Sequence, residues 1–231
     1  MRIAIHQPNY LPWLGFFYKM LNVEKFVLLD TVQFSKNSIQ NRNKIKTPQG
    51  PLWLTVPVYT KGKFMQKTRE VQINAQEPWR EKTRKTITLN YSKARCFKDA
   101  EDGFFKVYFS KDWSGLSELC AALIRFIAER LAPRTQIILA SELPCGEGKN
   151  ASELLIDICK HFGAQEYFSG MGGKNYMDEQ LFAREGIKVV YSDFKHPVYP
   201  QLYGDFVSHL SIVDLLFNCG EESGKILEAA H

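Results

Sequence analysis

Twelve consecutive residues near the start of the chain, HQPNYLPWLGFF at 6–17, bring together side chains with several distinct chemistries. His6 can exchange a proton near neutral pH, Gln7 and Asn9 carry amide donors and acceptors, and Tyr10 and Trp13 offer flat faces to a ring. The segment begins where the apolar run RIAIH ends. In an open α/β sheet, ligands bind beyond the carboxyl ends of the strands, facing helix N-termini. His6 reads either as an acid or base or as a hydrogen-bonded core histidine, and Phe16 and Phe17 as a helix's apolar face. Asp30 closes the next apolar run, and Gln33 follows it. If the two strands are adjacent and parallel, the Asp30 carboxylate can orient His6; alternatively it caps the following turn.

Three further segments carry binding chemistry. Arg42, Asn43 and Lys44 sit in a polar stretch between Lys36 and Lys46, where cations flanked by amides can bind phosphate. The run SGMGGKNY at 169–176 places Gly170, Gly173, Lys174 and Tyr176 after an expected strand. Its glycines can bring backbone N–H groups close to an anion, or serve only as a tight turn, and it matches neither GxxxxGK[ST] nor GxGxxG. In HPVYPQ at 196–201, Tyr199 and Gln201 can wall a pocket or belong to a proline-fixed loop. His161 and His209 read as structural, and Cys159, among Leu155, Ile158 and Phe162, as a buried thiol.

These segments need elements to position them. Residues 2–6 read as a strand, 12–21 as a helix opened by proline, and 25–30 as a second strand, the opening of a parallel sheet. Residues 31–50 read as a long loop, 52–58 as a strand interrupted by Pro57, and 61–67 as a basic connector. Helical spacing predicts helices at 78–89 and 114–131. Beyond Pro133, strands at 135–139, 166–169 and 187–191 alternate with helical segments, including one at 150–162 that ends before Gly163, and helices at 210–217 and 222–229 close the chain. The fold class is α/β: a single compact domain over 1–231 with a mainly parallel sheet flanked by helices, Rossmann-like or nucleotidyltransferase-like.

Composition narrows the function classes. The chain has 30 Lys and Arg against 25 Asp and Glu, with 45% hydrophobic residues, which excludes disorder. Residues 1–115 carry 20 basic and 9 acidic side chains (20 − 9 = +11), and residues 116–231 carry 10 and 16 (10 − 16 = −6). No uncharged apolar run approaches the roughly 18 residues of a membrane span, and the first apolar stretch is broken by His6, Gln7 and Pro8, so no signal peptide is expected. Five widely spaced cysteines without zinc-site spacing predict reduced thiols in a cytoplasmic protein and no metal. The basic half lacks any nucleic-acid module and is expected to meet a small phosphorylated molecule or an acidic protein rather than DNA or RNA.

Together these segments resemble the WbqC-like protein family. The matching pieces are HQPNYLPWLGFF, DTVQF at 30–34, QNRNKI at 40–45, LTVPV at 54–58, YFSGMGGKNYMD at 167–178, PVYPQ at 197–201 and LSIVDLLFNCG at 210–220. The resemblance implies work in bacterial O-antigen and surface-polysaccharide synthesis. More specifically, it implies transfer of an acyl or aminoacyl group, such as glycyl, to the amine of a nucleotide-activated amino sugar. The donor would be a thioester on an acidic acyl or peptidyl carrier protein, with no bound cofactor. In that reaction His6 would be the base, Gln7, Asn9 or Asn43 the oxyanion donors, and Arg42, Lys44 and Lys174 the grip on a diphosphate. A nucleotidyltransferase is the alternative, although such enzymes carry an HxGH-type pair where this chain has Leu14-Gly15-Phe16-Phe17. A non-catalytic subunit that presents a sugar nucleotide or carrier protein is the third reading.

Overall fold

A computed structural model describes residues 1–145 and 150–231. Five parallel strands form the main sheet: β1 (Arg2–His6), β2 (Lys25–Leu28), β5 (Gln136–Leu139), β6 (Glu166–Ser169) and β7 (Lys188–Tyr191), in the spatial order β5-β2-β1-β6-β7. From β1 the chain builds outward through β2 to β5, then returns to the other side of β1 for β6 and β7. The strand order therefore reverses between β1 and β6, which leaves a crevice at their carboxyl ends, as in doubly wound nucleotide-binding sheets.

The two faces of the sheet follow from strand alternation. Ala4, Phe26, Leu28 and Phe168 pack on one side with α1 (Leu14–Leu21), α4 (Leu116–Leu131), α7 (Ile212–Cys219) and α8 (Ser223–Glu228). Ile3, Ile5, Val27 and Tyr167 pack on the other with α5 (Ala151–His161) and α6 (Glu179–Arg184). Both faces are covered, so the strands read as continuous apolar runs, as buried parallel strands do. Among the described residues, no helix is long and apolar enough to cross a membrane.

Two regions depart from the sequence reading. Residues 31–50 contain β3 (Arg42–Thr47), which pairs antiparallel with β4 (Gly50–Thr55) in a separate hairpin. Its inward positions include Asn43 beside Ile45, so the period-two pattern is masked by a polar residue facing the core. The second is α3 (Phe97–Tyr108), which lies in a stretch left unassigned by periodicity and packs its buried Phe97, Phe104 and Tyr108 under α2 (Trp79–Tyr91) and α4. β2 also ends at Leu28, two residues before Asp30.

Candidate functional site

The crevice between β1 and β6 opens into a cleft of about 710 Å³. Its floor is the end of β1 with Lys19 of α1. One wall is α5 through Ala151, Leu154 and Leu155, and the other is Trp13, Phe16 and Phe194. A short 3₁₀ turn, Met171–Asn175, closes the β6 side with Gly170, Gly172 and Gly173. Among the described residues, no Asp or Glu lines the cleft.

His6 ends β1, and its ring meets Phe16 edge-on with centroids 5.0 Å apart. Nδ1 lies 2.9 Å from the Gln7 carbonyl. A carbonyl only accepts, so Nδ1 carries the proton and Nε2 keeps its lone pair. Burial, reinforced by the nearby Lys19 charge, lowers the pKa from 6.5 to about 3 against the opposing pull of the Gln7 carbonyl. The imidazole is neutral at physiological pH.

Lys19 is 6% exposed, on an otherwise apolar turn of α1. Its ammonium donates to the Ile5 carbonyl at 3.3 Å and stands 5.9 Å from the centre of the Phe26 ring. No described residue offers it a carboxylate, and burial alone lowers its pKa from 10.5 to about 8. At neutral pH the cleft thus holds a mostly protonated amine with no counter-ion among the described residues. A buried charge of this kind is costly unless an anion completes it.

Two glycines are required by close approach. A Cβ on Gly173 would lie 2.2 Å from Ser169 Oγ, and one on Gly15 would lie 2.4 Å from the Trp13 ring. Gly15 thus lets the indole fold down over α1 toward the cleft. The ring is held there by Phe194, edge-on at 5.3 Å, and by His209, stacked at 5.4 Å.

Of the residues singled out in the sequence, His6, Gln7, Trp13, Gly170, Gly173 and Tyr176 line the cleft. The remaining residues lie elsewhere. Asp30 does not orient His6, because both carboxylate oxygens are taken by Ser141, from N at 2.9 Å and Oγ at 2.7 Å. Nor do these bonds cap the turn that follows Asp30 in the chain: the carboxylate pins the distant 3₁₀ turn Ala140–Glu142 at the end of β5. Gln33 donates to the Phe64 carbonyl at 2.8 Å on the surface. Arg42 and Lys44 flank the Trp53 ring on the hairpin, at 4.6 and 4.8 Å from its centre, away from the cleft-lining residues. Lys174 covers the Tyr191 ring at 4.7 Å. Tyr10 is buried with its hydroxyl 2.6 Å from that of Tyr108. Tyr199 and Gln201 donate to Asp214 Oδ2 at 2.9 and 2.8 Å, in a buried network completed by Tyr91 on Oδ1 at 2.7 Å.

Several of these residues support the cleft indirectly. Leu11 has φ +44°, a left-handed conformation costly for a branched side chain, and its carbonyl accepts from Asn43 Nδ2 at 2.6 Å. The Tyr10 N–H bonds to the Gln40 carbonyl at 3.1 Å, and the Gln40 side chain donates to Gln7 Oε1. The hairpin and the turn leading into it thus fix the 6–13 loop from behind. Asn9 is 2% exposed with Nδ2 unpartnered among the described residues.

Lys19, Ser169, Ser192 and Phe194 also line the cleft but were not nominated from sequence. Lys19 carried a signal: it is the one charged residue in 12–21, three positions beyond Phe16 and four beyond Gly15, on the face they share. Among the described residues no group of three His, Cys, Asp or Glu side chains could hold a metal ion. Cys159 is fully buried, and burial pushes its thiol up to about 12, the environment of an inert core thiol.

No solved structure matches the chain. An uncharacterized protein of Mycobacterium tuberculosis (strain ATCC 25618 / H37Rv), Rv1507c, is 36% identical over 227 residues, covering 98% of this chain and 97% of that protein. Residues 7–226 match the profile of the WbqC-like protein family, so the segments that build the cleft and its supports are those of a family member, and this chain belongs to the WbqC-like protein family.

Proposed function

We propose that the protein is a transferase acting on a phosphate-bearing small molecule held in the β1/β6 cleft. In its specific form the reaction carries an acyl or aminoacyl group from a carrier thioester to the amine of a nucleotide-activated amino sugar. The observation that carries this reading is Lys19, a buried ammonium with no counter-ion among the described residues, beside a neutral His6 at the crevice where nucleotide-binding sheets place their ligands. A phosphate near Lys19 would also find the Ser169 and Ser192 side chains and the glycine turn in the same lining. Trp13 and Phe194 provide flat apolar surface for a base or sugar ring.

The amine of the acceptor attacks the thioester carbonyl. The C–N bond forms as the C–S bond breaks, the amine proton passes to His6 Nε2, and the departing thiolate takes it up. The Nδ1–H bond to the Gln7 carbonyl holds the tautomer that this transfer needs. His6 is a weak base in the empty cleft. The negative charge of a bound phosphate offsets the Lys19 contribution and raises the imidazole pKa, although burial, the larger cause of its depression, stays in place, so proton transfer is coupled to occupancy. The acidic carrier would approach the basic first half of the chain.

The strand order favours one second reading, nucleotidyl transfer, on fold-level analogy. Mass spectrometry separates the two. Incubation with a UDP-amino sugar and an aminoacyl carrier thioester should add the acyl mass to the sugar. Release of pyrophosphate from a nucleoside triphosphate, with no mass gain on the sugar, would instead establish the second reading. His6→Ala should slow acyl transfer roughly 100-fold or more.

A further inference from the structure

Residues 31–69 contain eight basic side chains, Lys36, Arg42, Lys44, Lys46, Lys61, Lys63, Lys67 and Arg69, and no Asp or Glu. Within this stretch the loop 60–67 holds its apolar tip outward. Phe64 is 82% exposed and Met65 77%. They are adjacent in sequence, whereas the other two most exposed large apolar side chains described, Leu89 and Val198, stand singly. The tip is built rather than frayed. Lys63 N–H closes a turn on the Thr60 carbonyl at 3.1 Å, Gln33 Nε2 donates to the Phe64 carbonyl at 2.8 Å, and Phe34 N–H donates to the Gln66 carbonyl at 3.0 Å. Lys61 and Lys63 precede the apolar pair and are exposed, and Lys67 follows it.

We propose that loop 60–67 docks the protein peripherally on an anionic bilayer surface, with Phe64 and Met65 entering the interface and the lysines meeting lipid headgroups. Three observations favour lipid over an acidic protein or a nucleic acid. The apolar pair projects convexly from a turn, a shape that a fluid phase accepts without a complementary pocket. The cations beside it are all lysines, which snorkel to headgroups but are depleted in protein interfaces and lack the forked geometry of arginine for nucleic acid. The exposed cations Lys61 and Lys63 beside the tip, with Arg69 beyond it, in a stretch without Asp or Glu, complement the negative surface of a membrane leaflet. Val32, next to the Gln33 clasp, lines the cleft, so docking through this loop would leave the catalytic crevice close to the membrane surface. The inference does not depend on which reaction the cleft performs.

Vesicle sedimentation tests it with the full chain. The protein should sediment with phosphatidylcholine vesicles containing about 30% phosphatidylserine and remain in the supernatant with phosphatidylcholine alone. Phe64→Ser with Met65→Ser, and separately Lys61→Glu with Lys63→Glu, should each lower partitioning roughly tenfold or more while melting like the parent, because all four side chains are exposed. High salt should release the protein. The proposal is overturned if anionic vesicles capture none of the protein, or if both double variants partition like the parent. It is equally overturned if these residues govern binding to duplex DNA or to polyglutamate while vesicles are ignored.

Discussion

Lys19→Met should make the protein more stable while removing its affinity for a phosphorylated ligand. Burial lowers the Lys19 pKa from 10.5 to about 8, and at about 1.4 kcal/mol per pH unit the charged amine costs the native state about 3 kcal/mol. Methionine has similar length and no charge, and the substitution forgoes only the 3.3 Å bond to the Ile5 carbonyl, so a net gain of about 1–3 kcal/mol is expected. For a domain of this size that corresponds to a Tm increase of roughly 3–10 °C. The pH dependence makes the reasoning specific. Below pH 8 Lys19 is protonated in both native and unfolded states, and the full cost is present. Between about 8 and 10.5 the native state releases its proton first, so parental stability rises relative to the variant. The advantage of Lys19→Met should therefore be flat below pH 8 and fade across that window. Urea denaturation of both proteins at several pH values measures it. A variant less stable than the parent at pH 7, or an advantage that does not shrink above pH 8, would refute the assignment of Lys19 as a buried, uncompensated charge.

The His6 pKa is depressed to about 3 from 6.5. Its contribution is complete above pH 6.5 and is lost as pH falls toward 3, so His6→Gln should flatten the acid limb of the stability profile, by up to about 2–3 kcal/mol at pH 4.5. Gly173→Ala should collide with Ser169 Oγ and abolish ligand-induced stabilisation, whereas Gly172→Ala, which meets nothing within 4 Å, should keep it. Thermal melts with and without a UDP-amino sugar compare the two. Asn43→Ala should cost about 1–2 kcal/mol in urea denaturation and weaken ligand binding, although Asn43 lies outside the cleft, because it frees the Leu11 carbonyl and relaxes the 6–13 loop.

Where apolar runs had the length and pattern of buried strands, the sequence was a sound guide: the RIAIH and KFVL strands pair directly, and the glycine turn after β6 closes the same crevice. The 42–47 strand was hidden because Asn43 turns inward to bond the Leu11 carbonyl, a partnership 32 residues away in the chain that no local pattern encodes. Asp30 and Tyr199 have residue types suited to chemistry, but their hydrogen bonds go to Ser141 and Asp214, and only the tertiary structure distinguishes such pins from site residues. Lys19 was the converse case. Its place on the helix face shared with Gly15 and Phe16 was the local hint, and only the tertiary structure shows that its charge is buried and lines a cleft.

Calorimetric titration of the protein and of Lys19→Met with a UDP-amino sugar, against the same amino sugar without its nucleotide, tests the central claim most directly. The account predicts binding of the nucleotide sugar by the parent, little or none by the variant, and no measurable binding of the free amino sugar by either. Equal affinity of parent and variant for the nucleotide sugar would contradict it.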